Sequence, residues 1–168
     1  MKFERLALIG CGLMGGSFAL ALRQAGSVAH VAGFSASEGT RQKALKLGVV
    51  DSVCSSAAEA VRGADLVLVA VPVSATGSTL QAIDAALEPH ALVMDVGSTK
   101  GDVVAAARAA LQRSLANFVP AHPIAGKEVA GIEHADAQLY QARRTILTPL
   151  PKTGIHRLQA AHQVWTAV

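Results

Sequence analysis

The sequence predicts a doubly wound α/β fold, a mainly parallel sheet with helices on both faces. Three observations carry that expectation. Short aliphatic runs alternate with helix-length segments along the chain, as in repeated strand–helix–strand units. One run, Leu66-Val67-Leu68-Val69-Ala70-Val71, is apolar at consecutive rather than alternate positions, which fits a strand buried on both sides. Of the 168 residues, 51% are hydrophobic but only 4% are aromatic, so the core is aliphatic. This length accommodates one domain over residues 1–168, and 16% charged residues is too few for a disordered chain.

The elements follow in order. Arg5–Ile9 is the first strand, and a helix from Leu13 to Gln24 follows, closed by Gly26. Val28–Phe34 is the second strand and Ser35–Thr40 a polar turn. Ser37 caps a helix over Arg41–Leu47 that stops at Gly48. Val49–Val53 is a short strand or connector, and Ser55 or Ser56 caps a helix over Ser56–Arg62. The strand Asp65–Val71 is halted by Pro72, where a ligand-facing loop begins. A helix over Thr76–Leu87, a strand over Ala91–Asp95 and a helix over Asp102–Leu115 come next. The remainder reads as a strand over Asn117–Pro120, a helix near Val129–Ala137, a strand over Arg144–Thr148 and a last helix over Gly154–Ala167.

The turn after the first strand has the form G-x-G-x-x-G, with Gly10, Gly12 and Gly15 at the fixed positions. Gly10 permits a tight reversal, Gly12 has no Cβ to hold a pyrophosphate off the backbone, and Gly15 lets helix and strand pack closely. The amides that open the helix at Leu13 and Met14 face phosphate with the positive end of the helix dipole. A strand before the turn and an apolar helix after it supply the context this motif needs, so the turn predicts dinucleotide binding. Val71 and Pro72 end a neighbouring strand at the same edge and are expected on the cofactor.

A dinucleotide site also needs a partner for the adenosine ribose about 20 residues beyond the turn. That position is Ser35. An Asp or Glu there would accept from the 2′-hydroxyl of NAD. A serine followed by Ser37, Thr40 and Arg41 tolerates a 2′-phosphate instead, which favours NADP over NAD. Ser37 also reads as a plain helix cap, and Arg41 as a solvated side chain.

Two loops carry the remaining chemistry: Asp95-Val96-Gly97-Ser98-Thr99-Lys100 and His122-Pro123-Ile124-Ala125-Gly126-Lys127-Glu128. Of the six histidines, His122 is the general-base candidate, because Pro123 stiffens the backbone beside it and an imidazole exchanges protons near neutral pH. Several classes are excluded. A net charge of +3 without a basic run or interleaved aromatics does not describe a nucleic-acid binder. Cys11 and Cys54 form neither a disulfide framework nor a metal pattern. Only five residues separate Arg5 from Cys11, too few for the apolar core of a targeting signal, and no run approaches a membrane span. A cytoplasmic protein is expected.

Gly10-x-Gly12-Leu13-Met14-Gly15-Gly16-Ser17-Phe18, Asp95-Val96-Gly97-Ser98-Thr99-Lys100 and His122-Pro123-Ile124-Ala125-Gly126-x-Glu128-x-x-Gly131 occur in that order, with Ile146-Leu147-Thr148-Pro149 and Trp165 later. Together they resemble the prephenate/arogenate (cyclohexadienyl) dehydrogenase family of tyrosine biosynthesis. The resemblance implies a Rossmann-type domain and oxidation of a cyclohexadiene ring hydroxyl. Hydride passes to NAD(P), and the ring carboxylate leaves as carbon dioxide. It implies that His122 takes the hydroxyl proton, that Ser98 orients His122 or the substrate beside the cofactor, and that Glu128 lies at the pocket mouth. Lys100 assists an anionic ligand or is merely solvated. Family members continue into an all-helical domain that forms a homodimer and supplies an arginine to the substrate. That domain is absent from these 168 residues, so cofactor binding is expected to survive better than turnover. Two other readings stay open: a β-hydroxyacid-type dehydrogenase, which relies on a lysine in a later helical domain, and a non-catalytic dinucleotide-binding module.

Overall fold

The structure, a computed structural model, describes residues 2–168. Six strands form the main sheet: β1 (Phe3–Ile9), β2 (Val28–Phe34), β3 (Ser52–Val53), β4 (Leu66–Val69), β5 (Leu92–Asp95) and β6 (Phe118–Val119). Their order is β3-β2-β1-β4-β5-β6, and every neighbouring pair is parallel. The chain winds outward from β1 to one edge, then returns to build the other half from β4. Loops leaving β1 and β4 therefore diverge, and a crevice opens outside the carboxyl ends of the two strands.

The helices are α1 (Leu13–Gln24), α2 (Glu38–Lys46), α3 (Ala57–Val61), α4 (Val73–Ile83), α5 (Lys100–Ala110) and α6 (Ile155–Ala167). The period-2 alternation of the strands divides the core between two faces. Leu6, Leu8, Leu66, Leu68 and Met94 point to one face, where α1, α2 and α6 cover them with Phe18, Leu22, Ala44 and Val164. Ala7, Ile9, Val67, Val69 and Val93 point to the other, under Val61, Leu80, Ile83, Val103 and Ala107 of α3, α4 and α5. Phe18 is fully buried and meets the Trp165 and Tyr140 rings at centroid distances of 5.0 and 6.4 Å. Burial of such a ring contributes roughly 1.5–3 kcal/mol.

The doubly wound class is as predicted, and the departures have local causes. α4 starts directly after Pro72 rather than at Thr76, because a proline with φ −52° sits readily at a helix entrance. α5 starts at Lys100 and ends at Ala110. The Asp84 carboxylate accepts the amides of Gln112, Arg113 and Ser114, which turns the chain out of the helix before Leu115. α2 begins at Glu38, with Ser37 accepting from the Thr40 amide as expected of its cap.

The largest departure lies beyond β6. The helix expected near Val129–Ala137 is a three-residue 3-10 turn, Ile132–His134. Gly131 enters it at φ +107°, and Ala135 leaves it extended, so helical dihedrals are interrupted on both sides. The expected strand over Arg144–Thr148 forms only as β8 (Thr145–Leu147), and it does not join the main sheet. It pairs antiparallel with β7 (Ala121–Pro123), placing Ile146 opposite His122. His122 is therefore on a strand, not in a loop.

Candidate functional site

The glycine turn is shaped by close approach. A Cβ on Gly10, which has φ +102°, would lie 2.3 Å from the Ala70 carbonyl oxygen of the neighbouring strand end. One on Gly15 would lie 2.3 Å from the Gly10 carbonyl oxygen. A Cβ on Gly12 would meet nothing within 4 Å, because it would project into open space at the N-terminus of α1. That helix has no side-chain cap and no acidic residue in its first turn. Its leading amides and dipole are thus left for an anion, and the room beside Gly12 suits a pyrophosphate.

A cleft of about 830 Å³ opens there, lined by Gly10, Cys11 and Gly12, by Phe34–Ser37, by Ala70–Pro72 and by Ala75, Ser78 and Thr79 of α4. Gly39, Thr40 and Lys43 of α2 and Gly131–Glu133 complete the lining. Of the residues expected on a cofactor, Gly10, Gly12, Ser35, Val71 and Pro72 line it. Leu13 is buried in the core, Gly15 lies beneath Gly10, and the Met14 carbonyl accepts the Tyr140 hydroxyl at 2.7 Å. Ser35 Oγ accepts the Cys11 amide at 2.9 Å, tying the ribose-side loop to the glycine turn and leaving its own O–H to donate. Burial pushes the Cys11 thiol up to about 11, so it stays protonated at neutral pH.

Arg41 holds the loop that follows β2. Its Nη1 donates to the carbonyl oxygens of Ser35 (2.6 Å) and Ala36 (3.3 Å), and its guanidinium lies over the Phe34 ring at 5.7 Å. Its partners Phe34, Ser35 and Ala36 line the cleft. Lys43 lines it too, in an ion pair of 2.9 Å with Glu133.

The catalytic candidates gather around the end of β5. Asp95, only 2% exposed, accepts the Gly97 amide at 2.8 Å and the Ala121 amide at 3.0 Å, and pairs with the Lys100 ammonium. Lys100 Nζ also donates to the Ala121 carbonyl at 2.7 Å. Both backbone groups of Ala121 are therefore held by one ion pair, and the next residue is His122. Lys100 is not a solvated lysine: its side chain is largely buried and its ammonium pairs with Asp95. Burial drives the Asp95 carboxyl up and the Lys100 ammonium down, outweighing their mutual attraction.

His122 is half-buried, while Ser98 and Glu128 are exposed. Asp95 brings the turn carrying Ser98 to the same sheet edge as His122. No hydrogen bond joins Ser98 to His122 among the described residues, and Ser98 does not line the nucleotide cleft. Beyond Glu128 the chain returns to α1. Ser17 Oγ accepts the Asp136 amide at 2.9 Å, Lys127 pairs with Asp136 at 2.8 Å, and Ile132 packs on Gly16. The Asp95–Lys100 clamp and the Lys43–Glu133 pair escaped the sequence reading. An acid closing an apolar strand gave a signal for the first. Nothing links Lys43 to Glu133 in sequence. Among the described residues no group of three His, Cys, Asp or Glu could hold a metal, and no helix is long and apolar enough to cross a membrane.

A glycine turn that opens a helix at the switch point of a 3-2-1-4-5-6 parallel sheet defines a dinucleotide-binding α/β protein of the Rossmann type. Within that class the chain belongs to the prephenate dehydrogenase family, since residues 18–168 match the family described as "Prephenate dehydrogenase, nucleotide-binding domain". It is 36% identical over 168 residues to the cyclohexadienyl dehydrogenase of Zymomonas mobilis, covering 99% of this chain and 56% of that protein. Among solved structures it resembles prephenate dehydrogenase from Aquifex aeolicus in complex with hydroxyphenyl propionate and NAD+, with a TM-score of 0.90 and 32% identity over 99% of this chain and 58% of that one. It also resembles Synechocystis arogenate dehydrogenase, with a TM-score of 0.85 and 27% identity over 96% of this chain and 55% of that one. The chain spans a little over half the length of these relatives.

Proposed function

We propose that this chain is the nucleotide-binding part of a cytoplasmic, homodimeric enzyme that converts prephenate, arogenate or both by oxidative decarboxylation in tyrosine biosynthesis. The observation that carries the proposal is the clamp of Asp95 and Lys100 on Ala121, which fixes a histidine-bearing strand at the edge where the glycine turn opens. The turn binds the pyrophosphate through the α1 amides, and Val71 and Pro72 wall the cleft. When bound, a nicotinamide dinucleotide supplies the hydride acceptor. His122 holds the substrate's ring hydroxyl and takes its proton as hydride leaves, and aromatisation after loss of the carboxylate drives the step forward. Ser98 orients the substrate or the His122 ring from the neighbouring turn, and Glu128 lies at the pocket entrance. Ser35, with no carboxylate at the end of β2, favours NADP over NAD.

The test uses the full gene product, with prephenate and arogenate as substrates and reduced nicotinamide and carbon dioxide as readouts. Turnover of one or both is expected. His122→Gln is expected to lower kcat by about a thousandfold while cofactor binding stays within about twofold. Tight cofactor binding without turnover of either acid would overturn the proposal.

A further inference from the structure

Lys43 lines the nucleotide cleft from α2, and its partner Glu133 comes from a turn 90 residues later that packs beside that helix and lines the same cleft. The two side chains are 48% and 43% exposed, and they line the same cleft as Ser35, Ser37 and Thr40. An ion pair so exposed to water is weak and exchanges partners readily. Glu133 is ionised at neutral pH: its own backbone amide, then Lys43, hold its carboxyl below the usual range. An acidic residue therefore does reach the cleft, by a route that the usual ribose position does not reveal.

We propose that Lys43 and Glu133 form a charge switch that reads the 2′ position of the adenosine ribose. The inference rests on the dinucleotide reading of the cleft. With a 2′-phosphate in place, Lys43 leaves Glu133 for the phosphate, whose charge of roughly −1.5 to −2 exceeds that of one carboxylate. The Ser37 and Thr40 hydroxyls add neutral hydrogen bonds, and the released Glu133 repels the phosphate. With a 2′-hydroxyl, the ion pair stays closed and neutral, so neither form is shut out. Lys43 thus sets the affinity for the phosphorylated cofactor, and Glu133 limits it. Arg41 contributes by holding Ser35 and Ala36 in place.

The experiment is calorimetric titration with adenosine 5′-monophosphate and adenosine 2′,5′-bisphosphate, which differ only in the 2′-phosphate, on the chain and its Lys43→Met and Glu133→Gln variants. Lys43→Met is expected to weaken the bisphosphate about tenfold and leave the monophosphate within about twofold. Glu133→Gln is expected to tighten the bisphosphate about threefold, and more at low salt. Both residues are exposed, so thermal melts of the variants should overlay those of the parent. An unchanged bisphosphate-to-monophosphate ratio in Lys43→Met, or equal weakening of both ligands, would overturn the switch and leave the cleft a nucleotide site. Failure of the parent chain to bind either nucleotide would overturn the dinucleotide reading and the switch with it.

Discussion

The β1–α1–β2 unit at residues 3–34 and the arm at residues 118–148 meet along α1, yet they hold their functional groups by different means. In the first, backbone mostly meets backbone, and side chains from outside it (Asp65, Asp51 and Ser35) accept the amides of Glu4, Arg5, Val31 and Cys11. Strands pair in parallel register, and the turn closes where Gly10 and Gly15 leave no room for another atom. In the second, short strands and turns are held through side chains: Asp95 and Lys100 on Ala121, Ser17 on Asp136, and the arm's own Tyr140 on the Met14 carbonyl. The first region should fail when atoms are added to its turn. The second should fail when a polar partner is lost.

The sharpest way to break this contrast is to add a methyl group at two glycines of one motif. Gly10→Ala places a Cβ against the Ala70 carbonyl at positive φ and should cost about 4 kcal/mol in urea unfolding, strain and overpacking contributing together. Gly12→Ala meets empty space and should cost within about 1 kcal/mol, while nucleotide affinity falls at least about tenfold. Equal destabilisation of the two would show that close approach is not what the turn requires.

On the other side, Lys100→Met strands the buried Asp95 carboxylate and should cost about 3 kcal/mol at neutral pH. The sign of its pH dependence follows from Asp95. A carboxyl whose folded pKa is raised favours the folded state when protonated and loses that contribution as pH rises. The deficit of Lys100→Met should therefore shrink on acidification through the carboxylate range, and Asp95→Asn in the same chain should recover part of it. A pH-independent deficit would mean that the lysine acts through packing alone. The smallest effect is expected where the two regions join. Ser17→Ala removes the acceptor of the Asp136 amide and should cost about 1 kcal/mol, with faster hydrogen exchange at that amide.

The same contrast explains what was legible in the sequence. The glycine turn, the buried strands and the Ser37 and Ser56 caps follow from local pattern, and the structure forms each of them. His122 could be singled out by residue type, but its strand could not. A three-residue ladder such as β7–β8 has no period to detect, and its partner lies beyond two turns. The helix expected near Val129–Ala137 does not form beyond the turn Ile132–His134. The backbone there instead follows contacts with α1, and tertiary context overrides propensity. Lys43 and Arg41 illustrate the limit. Two residues apart on one helix, both basic, they differ in what the side chain reaches: the carbonyls of Ser35 and Ala36 for Arg41, and Glu133 for Lys43.

The seating of Phe18 against Tyr140 and Trp165 has a consequence for how the chain is made. On the ribosome α1 emerges well before the rings that cover its buried face, which are translated more than a hundred residues later. At elongation rates of about 5–20 residues per second, that face stays uncovered for several seconds. Its pairing with the last helix is a contact of long sequence separation, the kind that forms slowly. Chaperones that hold apolar helices would find their longest opportunity on the segment that later carries the phosphate-binding turn.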